Sequence, residues 1–70
     1  MNENLLVVFQ GRTRQVIIDD EPCGMTNTIL SVPAGVHDVT LGSPANYHPL
    51  MQRVRVKGTT VNSPKVVIFT

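Results

Sequence analysis

His37, His48 and Cys23 are the side chains of this 70-residue chain best suited to chemistry, with Asp19 and Asp20 as candidate acidic partners. A zinc site would draw on these residue types at spacings such as His-x-His or Cys-x-x-Cys, and neither spacing occurs. A Cys23–His37 or Cys23–His48 nucleophile pair needs a thiolate-stabilising environment, a third group to orient the base, and an oxyanion hole. Seventy residues leave little room for a cleft holding all three. His37 is therefore expected as a half-buried structural histidine that hydrogen-bonds backbone near a turn. Cys23 is expected as a small hydrophobe beside another turn. No catalytic group, metal or cofactor is expected.

The run "RVRVK", with Arg53, Arg55 and Lys57 on one side, and the pair Arg12 and Arg14 could track a phosphate backbone. Single-strand binders add aromatic side chains on the same face. The only aromatics, Phe9, Tyr47 and Phe69, are not interleaved with these cations. A solvated sheet face, charged against edge aggregation, is the expectation. Tyr47, in "PANYHP", is read as a plug that covers one end of the core and turns its hydroxyl to backbone or water. Tyr47 and His48 are also the residues a binding loop would use.

These side chains must be positioned by a small body. A chain of this length buries only about 60% of the surface its unfolded form exposes. The single cysteine excludes an internal disulfide. Self-association or attachment to a larger partner is then the remaining aid to stability. A net charge of +1 provides no field toward nucleic acid or anionic lipid, and 16% charged residues is a sparse supply for a soluble surface. "MNENLLVVFQGR" has neither the basic region nor the cleavage site of a secretory signal, and no apolar run is long enough for a membrane span. The expected location is cytoplasmic as written, and extracytoplasmic if Met1 replaces a removed signal.

Five glycines and five prolines divide the chain into short runs rich in Val, Ile, Leu and Thr. The pattern predicts strands near 4–10, 14–19, 27–32, 35–42, 50–57 and 64–70, and no helix. The expected fold is all-β, a small antiparallel β-sandwich of six to seven short strands forming one domain over residues 1–70. "VPAG" has type I turn chemistry, with Pro33 second and Gly35 fourth, and predicts a hairpin with a glycine bulge. "DDEPCG" and "GSPANYHP" read as longer turns. His37, Val39 and Leu41 share one face of their strand, opposite Val36, Asp38 and Thr40; Val54 and Val56 similarly oppose Arg53, Arg55 and Lys57.

From Val16 to Val56 the chain resembles a PEGA domain, a small β-sandwich module. "VIIDD" is similar to the family's strand ending in aspartate, and Gly24 with Thr26 to the glycine-x-threonine that follows. "VPAGVHDVTL" resembles the proline-x-glycine-x-histidine segment, and "PANYHP" the turn before the next strand. The namesake motif is absent, Asp20 and Asn46 stand where the family has glycines, and Asn27 stands where a proline is common. Asp and Asn are the non-glycine residues that best tolerate left-handed backbone, so the fold inference holds. The resemblance implies no shared catalytic site and a module appended to larger, often extracytoplasmic proteins. Within it His37, Gly35, Pro33 and Gly24 are structural.

The functional expectation is a non-catalytic interaction module acting through protein–protein contact. One alternative is a carbohydrate or cell-envelope binder using the loops around Tyr47 and His48. Another, less expected, is a weak nucleic-acid binder through Arg53, Arg55 and Lys57. "LLVVF" and "VVIF" at the chain ends are apolar on both faces, whereas a two-layer sandwich covers one face of each sheet. One parity of each run should face outward, unless loops fold over it. The interface of a homodimer, or of a complex with a larger protein, is assigned to Leu6, Val8, Val67 and Phe69.

Overall fold

A computed structural model describes residues 2–70. Seven strands run through them: β1 (Asn2–Phe9), β2 (Gln15–Ile18), β3 (Glu21–Met25), β4 (Ile29–Pro33), β5 (Gly35–Leu41), β6 (Gln52–Val56) and β7 (Lys65–Phe69). They form two sheets, one ordered β4-β1-β7 and the other β3-β2-β5-β6. The described residues contain no helix, hence none long and apolar enough to cross a membrane.

Period-2 alternation builds the core. From the three-stranded sheet come Leu5, Val7 and Phe9, with Leu30, Val32, Val67 and Phe69 beside them. From the four-stranded sheet come Val16, Ile18, Val39, Leu41 and Val56. The faces expected for β5 and β6 are found: His37, Val39 and Leu41 are buried, while Arg53 and Arg55 are exposed.

Four details differ from the sequence expectation. "VPAG" is not a hairpin. β4 pairs with β1 and β5 with β2 and β6, so Ala34 alone carries the chain around a corner from one sheet to the other. Gly35 meets this turn with φ +130°, a backbone that side chains with a Cβ rarely adopt. Second, "DDEPCG" is mostly strand. Asp19 and Asp20, both at positive φ, form a two-residue hairpin turn, and β3 follows at once. Pro22 is tolerated because β3 is an edge strand. Cys23 is the extra residue of a β-bulge and is exposed, not a buried hydrophobe. Third, β1 and β7 pair in parallel, which is possible because the rest of the domain serves as their crossover. Fourth, Val67 and Phe69 lie in the core, and Val66 and Ile68 face outward in their place. Tyr47 packs edge-on against both Phe9 and Phe69, and this aromatic cluster fixes the parity of the last strand.

Gly24 lies where the edges of the two sheets meet. A Cβ there would approach Leu30 Cδ2 to 2.5 Å, and its φ of +154° is already strained for other residues. Gly24→Ala should therefore cost about 1–3 kcal/mol, a fall in melting temperature of about 4–8 °C for each kcal/mol. Gly42→Ala, whose Cβ would meet nothing closer than 3.5 Å, should shift the midpoint far less. Equal thermal midpoints for the two variants would contradict this account of the sheet junction.

Candidate functional site

β5 places His37 at the rim of the core, where each ring nitrogen meets an acceptor. Nδ1 is 2.6 Å from Asp19 Oδ2, and Nε2 is 2.6 Å from the Pro33 carbonyl. An ionised Asp19 and a carbonyl both only accept, so this geometry suits the imidazolium, with hydrogen on both nitrogens. The Asp19 hydrogen bond, followed by the Pro33 carbonyl, raises the His37 pKa against the opposing effect of burial. Asp19 is held by the turn and accepts from the Asp38 amide at 2.9 Å. That bond first, and His37 second, lower the Asp19 pKa.

The latch joins the β2–β3 turn, the end of β4 and the start of β5, and so spans both sheets. It leaves the imidazole no lone pair for a metal or for the Cys23 thiol, although Cys23, Glu21 and Pro22 line the same shallow cleft. Of the sequence candidates for chemistry, the fold thus unites His37, Asp19 and Cys23 in one place and ties the histidine up. His48 is exposed on the 42–51 loop, where its backbone exchanges hydrogen bonds with Thr70.

Tyr47 is buried under the other end of the core. Its hydroxyl donates to the Leu41 carbonyl at 3.0 Å and accepts from the Leu41 amide. The His48 imidazole is the ring that this loop leaves at the surface. Arg14 is engaged as well: it donates to the carbonyls of Gly42 and Pro44 and to Asn46 Oδ1, and stacks over Phe9. Arg53 forms a two-pronged pair with Asp38, its cross-strand neighbour. Arg55 sits opposite Val36 on the same outward face. The basic face of the four-stranded sheet is therefore part-neutralised and carries no aromatic side chain.

Two residues that chemical reasoning passed over hold the β1–β2 connection. Thr26 is buried, accepts from the Arg14 amide and donates to the Arg12 carbonyl. Asn27, at φ +66°, uses its amide side chain as a short strand against Phe9, accepting from its N–H and donating to its C=O. A proline in this place could form neither bond. Asp20 also uses the left-handed backbone open to it, whereas Asn46 does not.

The outer face of the three-stranded sheet carries exposed aliphatic side chains that the core does not use. Leu6 in β1 lies between Ile29 in β4 and Val66 in β7, and Val8 lies beside Ile68 in the next row. Ile29, Val66 and Ile68 are 42%, 47% and 58% exposed, and Leu6 and Val8 are half-buried by their neighbours. Asn4 and Ser31 are paired toward one end of the sheet. By strand alternation, none of the three strands puts a charged side chain on this face, and Arg12, from the β1–β2 connection, lines a cleft with Val8 and Ile68 at its edge. Glu3 alternates to the other side of β1 and is bound by Thr59. Leu6 and Val8 thus lie on the face expected for an interface, whereas Val67 and Phe69 do not.

The family model of the PEGA domain matches residues 11–67. No curated protein and no solved structure matches the chain.

The latch makes stability depend on pH. A folded pKa raised above the unfolded value near 6.5 gives stabilisation that is complete below that value and is lost as pH rises through the folded pKa. Thermal midpoints measured from pH 5 to 9 should fall across this upper range in the wild type and stay flatter in Asp19→Asn and His37→Gln. His37→Ala should cost about 1–3 kcal/mol at pH 6, because hydrogen-bonding partners are left unmet. A midpoint that climbs with pH above 6.5, or an unchanged profile in both flatter variants, would refute the charged latch.

Proposed function

This chain belongs to the PEGA domain family, and we propose that it is a non-catalytic interaction module whose contact surface is the outer face of the three-stranded sheet. The observation that carries the reading is the uncharged apolar row Ile29–Leu6–Val66 with Val8 and Ile68 beside it. A solvent-facing sheet face ordinarily alternates to polar and charged side chains. Contiguous apolar patches of a few hundred Å² on small proteins mark contact sites. The opposite face of this same molecule shows the ordinary pattern, with Asp38, Arg53 and Arg55 outward.

The chemistry available elsewhere supports the same reading. His37 has both nitrogens committed to structure. A sugar-binding loop around Tyr47 and His48 keeps only His48 at the surface, because the Tyr47 ring is inside. A phosphate-tracking stripe through Arg53, Arg55 and Lys57 would want Arg53 free and aromatic side chains beside it, and Arg53 is paired with Asp38 while Phe9, Tyr47 and Phe69 are buried in the core. PEGA domains are generally found in extracellular or envelope proteins, and that is the setting assigned to the module here.

The test compares tagged wild-type chain with Ile68→Lys and Arg55→Glu after capture from the native host. Ile68 is exposed, so its substitution should leave the fold within about 0.5 kcal/mol of wild type. The expected result is a protein partner retained by wild type and Arg55→Glu and lost from Ile68→Lys. Identical capture by all three, or loss only from Arg55→Glu, would overturn the assignment of the surface.

A further inference from the structure

We infer that the cleft at the end of the β1–β7 ladder takes an extended segment of a partner protein in which an apolar side chain stands next to a carboxylate. The inference rests on the interaction-module reading and names the chemistry of the partner. The floor of the cleft is the outward pair Val8 and Ile68, neighbours across the parallel ladder, with the buried Phe9 and Phe69 next along the same strands. Its volume of about 520 Å³ falls within the roughly 300–1,000 Å³ of ligand sites. It is open to solvent, as a segment passing across it requires.

The rim of the cleft is rich in donors. After Phe9 the chain turns back, and the Arg12 N–H donates to the Phe9 carbonyl at 3.1 Å. The Arg12 guanidinium stands 5.7 Å from the centre of the Phe9 ring. Among the described residues it has no ion-pair partner, and Thr70 in the same cleft is no exception. From the 42–51 loop comes Asn46, whose Oδ1 accepts from Arg14. That bond commits the oxygen and leaves the two hydrogens of Nδ2 without an acceptor among the described residues. No acidic side chain lines the cleft. A carboxylate is the group this rim lacks: a guanidinium meets its two oxygens with parallel N–H bonds, and Asn46 offers further donors.

The floor separates a protein segment from a nucleic-acid strand. A strand is held by stacking its bases on aromatic faces. Here the outward side chains are aliphatic, and the Phe9 ring lies under Arg12 and Arg14. An aliphatic side chain beside a carboxylate satisfies floor and rim together. The loop side is braced by Arg14, which donates to Gly42, Pro44 and Asn46, and by the backbone exchange of His48 with Thr70. The cleft is thus formed in advance, which lowers the ordering cost of binding. Its floor, Gln10 and Thr70 lie outside residues 11–67, so it is not read from the family pattern.

Amide NMR spectra of the isotope-labelled chain test the inference, titrated with terminally blocked Leu-Asp-Leu and Leu-Asn-Leu peptides to about 10 mM. The aspartate peptide should move the signals of Val8, Gln10, Arg12, Asn46 and Ile68. Binding should weaken by about threefold to tenfold with the asparagine peptide, in Arg12→Gln and in Asn46→Asp. Asn46→Asp keeps the oxygen that Arg14 needs and sets a carboxylate in the cleft. Thermal midpoints verify that both variants are folded. Equal binding of the two peptides, or still signals with both, overturns the inference, as does larger movement with a single-stranded oligonucleotide. Signals that move with protein concentration alone give the cleft to a second copy and overturn it too. If capture from the host depends on Ile68 but is unchanged in Arg12→Gln, the contact surface stands and only the acidic partner falls.

Discussion

A protonated imidazole held between a carboxylate and a carbonyl is the tie on which the two-layer arrangement depends. His37 stands on the four-stranded sheet, and the Pro33 carbonyl it reaches belongs to the three-stranded one. Between them the chain turns with one residue, Ala34, so the corner has almost no slack. Asp19 supplies the charge that keeps the ring protonated and also fixes the β2–β3 turn to β5. At the far end Tyr47 plays the matching part with a neutral hydrogen bond and two aromatic contacts. The core between the two is short, and its ends are closed by polar groups that are all satisfied: no buried side-chain nitrogen or oxygen lacks a partner among the described residues.

That economy explains how charge is distributed. Charged residues are few, and the fold places them at turns, at strand ends and on the four-stranded sheet. Arg14 braces the 42–47 loop, Arg53 pairs with Asp38, and Glu3 holds the Thr59 segment. The three-stranded sheet is left with amides, hydroxyls and aliphatic groups on its outer side. The two broad surfaces of one small body therefore differ in kind, and the difference is set by strand parity alone.

Much of this was legible in the sequence, and the failures share a cause. Clean alternation in β5 and β6 fixed their faces, because only one parity was apolar. In "LLVVF" and "VVIF" both parities are apolar, and the choice falls to distant partners such as Tyr47, which no local window contains. The turn chemistry of "VPAG" marked the bend correctly but could not say whether the strands on either side share a sheet. That depends on β1, found at the other end of the chain's first half. β3 was hidden because Pro22 and Gly24 signal a turn, while an edge strand with a bulge accommodates both. His37 is recognisable as structural from its setting, but its acid partner lies 18 positions earlier, beyond any local pattern.

The parallel pairing of β1 with β7 has a mechanical consequence. The first strand enters at one end of the sandwich and the last leaves at the other, side by side along Leu5–Phe9 and Lys65–Phe69. Tension applied to the two ends pulls these strands past each other along their own length. The evenly spaced hydrogen bonds of a parallel ladder are then loaded in shear and resist together, instead of opening one at a time as they would if the strands were peeled apart. The topology makes the seam between the chain's two ends the element that bears the force.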